Sequence, residues 1–249
     1  MNEIYHLAIL SAMPEEIGNI LDHLVDIKTI KYGDLKVYQG FWIETKTDRK
    51  IKITSAWSGW GKVSSARAAT RIIGLSGNDL PIDLFIFTGV AGAIKSDLRQ
   101  WDIVLPDKLC QYDMDARPIF EKFVIPPLNK KFIEPDTEIH KWAFNSLKHG
   151  IENGNLSKFR KILVGLVGTA DKFISSDESR RQIVKDLPSI FAVEMEGAAF
   201  AQIVSQEEIP WLVIRVVSDT ADNSAAQNFN DFLNDYSKYS WQLINQLLS

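Results

Sequence analysis

A single cysteine, Cys110, stands in 249 residues, which excludes an internal disulfide. That cysteine and the four histidines (His6, His23, His140, His149) show no metal-ligand spacing, so no metal is expected. No apolar run approaches the roughly 20 residues needed to cross a bilayer. Met1 to His6 lack the basic segment and long apolar stretch of a secretion signal, and a cytoplasmic location is expected. Basic charge is not in excess. The 28 Lys and Arg against 32 Asp and Glu leave a net charge of −4, which gives no support to binding nucleic acid or a membrane surface. Also missing are a Ser-His-Asp set, a Walker lysine loop, a Rossmann glycine fingerprint, internal repeats and an interdomain linker. With 45% hydrophobic residues, the chain can bury one large core as a single domain over residues 1–249.

What is present is a series of short apolar runs that end in polar or small residues. Leu7–Leu10, Ile82–Phe87, Asp102–Leu105, Ile162–Val167, Ile190–Val193 and Trp211–Val217 read as strands buried on both faces. Residues 28–58 alternate instead, in four short segments around Thr29–Lys31, Leu35–Tyr38, Phe41–Glu44 and Lys50–Thr54, and predict an antiparallel meander with turns at Gly33-Asp34 and Thr47-Asp48. Helices are expected after Pro14 (Ile17, Ile20, Leu21, Leu24), from Val63 to Ile73, around Ile139–Leu147, and from Glu178 to Lys185 behind a Ser176 or Asp177 cap. Phe229, Phe232, Leu233, Tyr236, Leu243, Ile244 and Leu247 form a closing helical stripe that reads as core packing. Asp113 to Asp136 hold four prolines and little periodicity, an excursion of the length that usually serves or covers a site.

The polar residues converge on strand ends. Phe191-Ala-Val-Glu-Met-Glu-Gly-Ala-Ala-Phe200 runs from a buried strand into a helix, and alternation points Glu194 and Glu196 the same way if the chain stays extended. Glu16 lies at the mouth after the first strand, while Glu15 reads as helix-dipole compensation. Gly89 and Gly92, in Thr88–Ala93, are placed to bring backbone N–H groups against a ligand. Arg215 to Asp219 close the last strand. In open α/β sheets the carboxyl edge is where ligands bind. Carboxylates beside one buried arginine suit acid–base work on a neutral polar substrate.

Four of these segments, Ala12-Met-x-Glu-Glu16, Thr88-Gly-x-Ala-Gly92, Val193-Glu-Met-Glu-Gly-Ala198 and Arg215-x-x-Ser-Asp-x-Ala-Asp222, occur in order and in register over nearly the whole chain. Together they resemble the nucleoside phosphorylase/nucleosidase superfamily, and most closely the 5′-methylthioadenosine/S-adenosylhomocysteine nucleosidases. The resemblance implies an α/β domain around a mixed, partly barrel-like sheet flanked by helices. It implies a homodimer that hydrolyses the N-glycosidic bond of an adenine nucleoside without a cofactor. By motif, Glu16 matches the carboxylate that activates water, and Asp219 the acid that supports protonation of adenine N7. Glu196 would hold ribose hydroxyls, with Met195 under the sugar. Phe173 would stack on the base while the Ile174 backbone reads its edge. Arg215 and Ser218 would support the water and Asp219, and Met13 and Gly92 would line the substrate site. The sequence departs from this pattern at Val90, where those hydrolases carry serine, and at Trp60, where they carry a small aliphatic residue facing the 5′ substituent. The other readings within the fold are a phosphorylase, a futalosine hydrolase and a non-catalytic nucleoside binder.

Overall fold

The computed structural model describes residues 4–44, 47–77, 80–221 and 225–249. Strand β1 (His6–Ser11) is buried along its whole length, as a continuous apolar run requires when both faces are covered. It lies between two parallel neighbours, β4 (Lys50–Trp57) and β5 (Leu84–Ala93). β4 closes the antiparallel meander with β2 (Val25–Tyr32) and β3 (Leu35–Ile43). The meander has three strands where four short segments were expected, because Leu35–Tyr38 and Phe41–Ile43 join into one strand. β2 is the edge, mostly exposed and carrying Lys28 and Lys31, charges of the kind that discourage edge-to-edge pairing.

On the other side of β1 the sheet closes on itself. β6 (Ile103–Gln111), β7 (Ile162–Thr169), β8 (Ile190–Glu194) and β9 (Trp211–Asp219) complete a ring in which β5 pairs with both β8 and β9. β5 makes this possible by its length. Leu84–Phe87 pair with β1, Gly92 and Ala93 pair with β8, and Phe85–Gly92 run beside β9 throughout. The sheet is therefore mixed and partly a closed barrel. Six α-helices flank it among the described residues: α1 (Lys62–Ser76), α2 (Thr137–Glu152), α3 (Asp177–Asp186), α4 (Gly197–Gln206), α5 (Ala225–Tyr236) and α6 (Ser240–Leu248). One apolar cluster joins Leu7, Ile9, Ile214 and Val216 to α2, α5 and α6; the other joins Ala8, Leu10, Phe87 and Val213 to α1 and α4. Alternation along β1 and β9 sends successive side chains into the two clusters.

Three expectations are corrected. The stretch after Pro14 forms two short 3₁₀ turns, Pro14–Glu16 and Ile20–His23, and no α-helix. Between them Gly18 sits at φ +62°, with the Ser237 backbone too close to admit a Cβ. The strand expected to end at Phe87 runs on through Thr88–Ala93, and its glycines make room for Glu16, Arg215 and Asp219. The closing stripe divides into α5 and α6. The excursion after β6 folds back on the sheet, with bridges Leu109–Ile133 and Ile125–Lys130 and with Phe123, Ile125 and Ile133 buried. Ser176, rather than Asp177, caps α3.

Candidate active site

The carboxyl ends of β1, β8 and β9 meet the middle of β5, which runs on past them. Glu16 arrives from the turn after β1 and is buried. One oxygen accepts from the amides of Ala12 (2.8 Å) and Met13 (3.0 Å), the other from the Val90 amide on β5 (2.9 Å). A methyl group at Gly89 would fall on both Glu16 and the Arg215 guanidinium, so only glycine fits there. The expected amide presentation by the Thr88–Ala93 stretch thus serves a carboxylate of the protein itself. Burial pushes the Glu16 carboxyl above the ordinary range, and the charge of Arg215 and the three amides pull it back only in part.

Arg215 is fully enclosed, with its guanidinium 4.5 Å from the centre of the Phe87 ring. It pairs with Glu194 at the end of β8 and lies 3.8 Å from Glu196. Glu194 also accepts from the Thr169 hydroxyl and from the amides of Glu196 (3.0 Å) and Gly197 (2.7 Å) at the start of α4. The two glutamates therefore have different tasks. The chain leaves the extended state at Glu196 (φ −132°, ψ −37°), so strand alternation no longer relates them. Both line the cleft, but Glu194 neutralises Arg215 and closes the N-terminus of α4, while Glu196 accepts from the Gly61 amide (2.7 Å). Burial, then the charge of Glu194, raises Glu196 to about 8 against the opposing pull of Arg215, with Glu16 adding to the rise.

Asp219 ends β9. Its carboxylate accepts from the Ala221 amide (2.8 Å) and the Ser218 hydroxyl (2.7 Å), beside Gly92. Asp222, which ends the same motif, lies outside the described residues. Two adjoining cavities, of about 60 and about 40 Å³, share Gly92, Phe173, Met195 and Asp219 and form one cleft. The larger compartment holds Met13, Glu16, Trp60, Val90, Glu196 and Ser218; Ile174 and Lys172 line the smaller. The residues given substrate or catalytic roles by the resemblance thus line the cleft except Arg215, which stands behind it; Gly89, packed against Arg215 and Glu16, does not line it either. Phe229 was read as core packing, yet it lines the cleft and meets Trp60 (centroids 6.1 Å apart) and Phe173 (5.7 Å) edge-to-face. Its helical spacing carried no signal that would separate it from Phe232. A wider surface groove of about 560 Å³ lies between His23, Trp42 and Trp241, but no set of buried carboxylates lines it.

A single α/β sheet that delivers four buried carboxylates and one arginine to a two-part cleft defines a class, and comparison agrees on which. The chain belongs to the phosphorylase superfamily, whose sequence model matches residues 6–249. Within it, the 5′-methylthioadenosine/S-adenosylhomocysteine nucleosidase of Staphylococcus aureus (strain JH9) is 33% identical over 247 residues, 98% of this chain and 99% of that one. The nucleosidase of that name from Neisseria meningitidis, solved with methylthio-immucillin-A, superimposes with a TM-score of 0.86 at 27% identity, over 98% of this chain and 99% of that chain. The futalosine hydrolase of Helicobacter pylori superimposes with a TM-score of 0.82 at 28% identity, over 98% and 97%.

Proposed function

We propose that the protein hydrolyses the N-glycosidic bond of an adenine nucleoside, 5′-methylthioadenosine and/or S-adenosylhomocysteine, to adenine and the 5′-substituted ribose. The observation that carries this reading is the pair of buried acids lining one cleft, Glu16 held by three amides and Asp219 held by Ser218 and Ala221. Water attacks C1′ and gives its proton to Glu16. The C1′–N9 bond breaks, and the electron pair goes to the base, which leaves neutral because N7 is protonated beside Asp219. The sugar passes through a cationic state that the neighbouring carboxylates stabilise. Glu196 holds the ribose hydroxyls over Met195; Phe173 stacks on the base and the Ile174 backbone meets its edge. Arg215, Ser218, Met13, Gly92 and Val90 complete the walls. Although Val90 lacks a hydroxyl, its amide still serves Glu16.

Water, and not phosphate, is the acceptor. Among the described residues no lysine or arginine lines the compartment that holds Glu16, and Arg215 behind it is already committed to Glu194. A phosphate dianion there would meet Glu16 in a site shielded from water. Futalosine hydrolysis is the second reading, favoured by the Helicobacter pylori neighbour and by the aromatic wall of Trp60 and Phe229. The working unit is one catalytic domain over residues 1–249, cytoplasmic and homodimeric; Val63 and Ile119, 80% and 83% exposed, offer apolar surface for a partner copy. The experiment is a panel of purine nucleosides in phosphate-free buffer, with free base measured. Adenine release that added phosphate does not raise supports the proposal. A sugar 1-phosphate product makes the protein a phosphorylase, and no release of base from any nucleoside makes it a binder.

A further inference from the structure

The corner before α1 touches two walls of the cleft through consecutive amides. Gly61 donates to Glu196 (2.7 Å), and Lys62 donates to Asp171 (2.7 Å) in the segment between β7 and α3. Gly61 stands at φ +92°, and a Cβ there would lie 2.9 Å from the Asp171 carboxylate. The contact closes into a ring. The Asp171 amide donates to Asp113 (3.2 Å), and Asp113 pairs with the Lys62 ammonium (2.7 Å). Three residues thus tie three separated stretches of chain: the corner bearing Trp60, the segment bearing Phe173, and the start of the excursion after β6.

The Phe173 segment has few other hydrogen-bonded ties, its remaining contacts being apolar: Phe173 against Phe229, and Ile174 in a buried cluster with Ile183 and Val193. Ala170 donates to the Glu194 carbonyl (3.1 Å) and Lys172 to the Ala170 carbonyl (2.7 Å); among the described residues, 173–175 donate no backbone hydrogen bond. Asp171 is therefore the last residue before Phe173 that is tied by hydrogen bonds to other stretches of the chain. We infer that Lys62, Asp113 and Asp171 are positioning residues that set the distance of Phe173 and Ile174 from the ribose carboxylate Glu196, and so act on nucleoside binding. The inference rests on the nucleoside reading of the cleft. All three side chains reach solvent, and exposed pairs of this kind contribute little to stability. A role in folding alone would therefore leave binding constants unmoved.

The test compares Asp171→Ala and Asp171→Asn with the unaltered protein, which must first release adenine; if it does not, the proposed function fails and not this inference. Three quantities are measured for each: KM and kcat with 5′-methylthioadenosine, the inhibition constant of free adenine, and amide hydrogen exchange of residues 171–175. For Asp171→Ala the expected result is a KM and an adenine constant raised about tenfold, the scale of losing one well-placed charge-assisted hydrogen bond. kcat should fall far less, and exchange in 171–175 should be faster. Asp171→Asn keeps an acceptor for the Lys62 amide and should recover most of the binding. Lys62→Met, which keeps that amide, should give a smaller rise. Unchanged KM and adenine binding in Asp171→Ala, or a loss carried by kcat alone, would overturn the inference. Should Asp171→Ala not fold, Lys62→Met and Asp113→Asn decide in the same way.

Discussion

Arg215 and Glu194 form an ion pair that solvent does not reach, with side chains 0% and 2% exposed. β9 supplies one partner and β8 the other, and Gly89 between them leaves the space that the guanidinium needs. Removing one member of such a pair strands a charge in the interior, which costs about 3–5 kcal/mol. Glu194→Ala is expected to lose stability on that scale in urea denaturation, and the loss should exceed that of Glu196→Ala, whose partner Arg215 keeps Glu194. Equal losses would mean that Arg215 is shared evenly between the two.

Asp219→Asn is expected to lower turnover by about 10²-fold or more, the usual scale for losing a general acid. The carboxamide keeps one oxygen for the Ala221 amide, and the Ser218 hydroxyl can turn to the Ala91 carbonyl and accept from the new NH2, so the variant should fold. Near-normal turnover in that folded variant would remove Asp219 from the acid role.

Trp60 is 52% exposed and forms a wall with Phe229 at right angles. This wall should favour a small 5′ group, so kcat/KM is expected to be higher for 5′-methylthioadenosine than for S-adenosylhomocysteine. Overfilling a pocket costs about 1–3 kcal/mol. Trp60→Ala should narrow the gap. A clear preference of the unaltered protein for the larger nucleoside refutes this.

Glu196 carries a pH dependence whose sign follows from its raised pKa. Between the ordinary glutamate value of 4.5 and about 8, the folded protein holds a proton that the unfolded chain has released. Its stabilising contribution is present below 4.5 and is lost as pH rises through about 8. The melting temperature of the ligand-free protein should therefore decline from about pH 5 to about pH 8 and level off above, and Glu196→Gln should flatten the decline. Glu16 is raised too and keeps part of the slope in that variant. The buried His6 works the other way in the acid half of this range. Its pKa is lowered chiefly by burial, so its contribution is lost as pH falls below the ordinary histidine value. A slope unaltered by Glu196→Gln would place the bound proton elsewhere.

The amino-acid sequence by itself determined the buried strands β1 and β9, because a run such as Leu7–Leu10 or Trp211–Val217 has no stable place except between covered faces, whereas β7, expected to be buried too, exposes Val164 at its start. It also determined which polar residues those strands deliver, since Glu16, Glu196 and Asp219 sit next to runs whose ends are plain. Local pattern ends β5 at Phe87 instead of Ala93, because glycines close an apolar run whether or not the strand continues, and only the side chains crossing it distinguish the two. The separate tasks of Glu194 and Glu196 were likewise invisible two residues apart. They depend on Arg215, which β9 brings alongside Gly89 from more than a hundred residues away. Phe229 joins the cleft, and Asp171 joins Lys62, for the same reason. A helical period or a loop composition states what a segment can form, whereas which side chain a segment touches is decided when the β5–β8–β7–β6–β9 ring closes and excludes water from what it encloses.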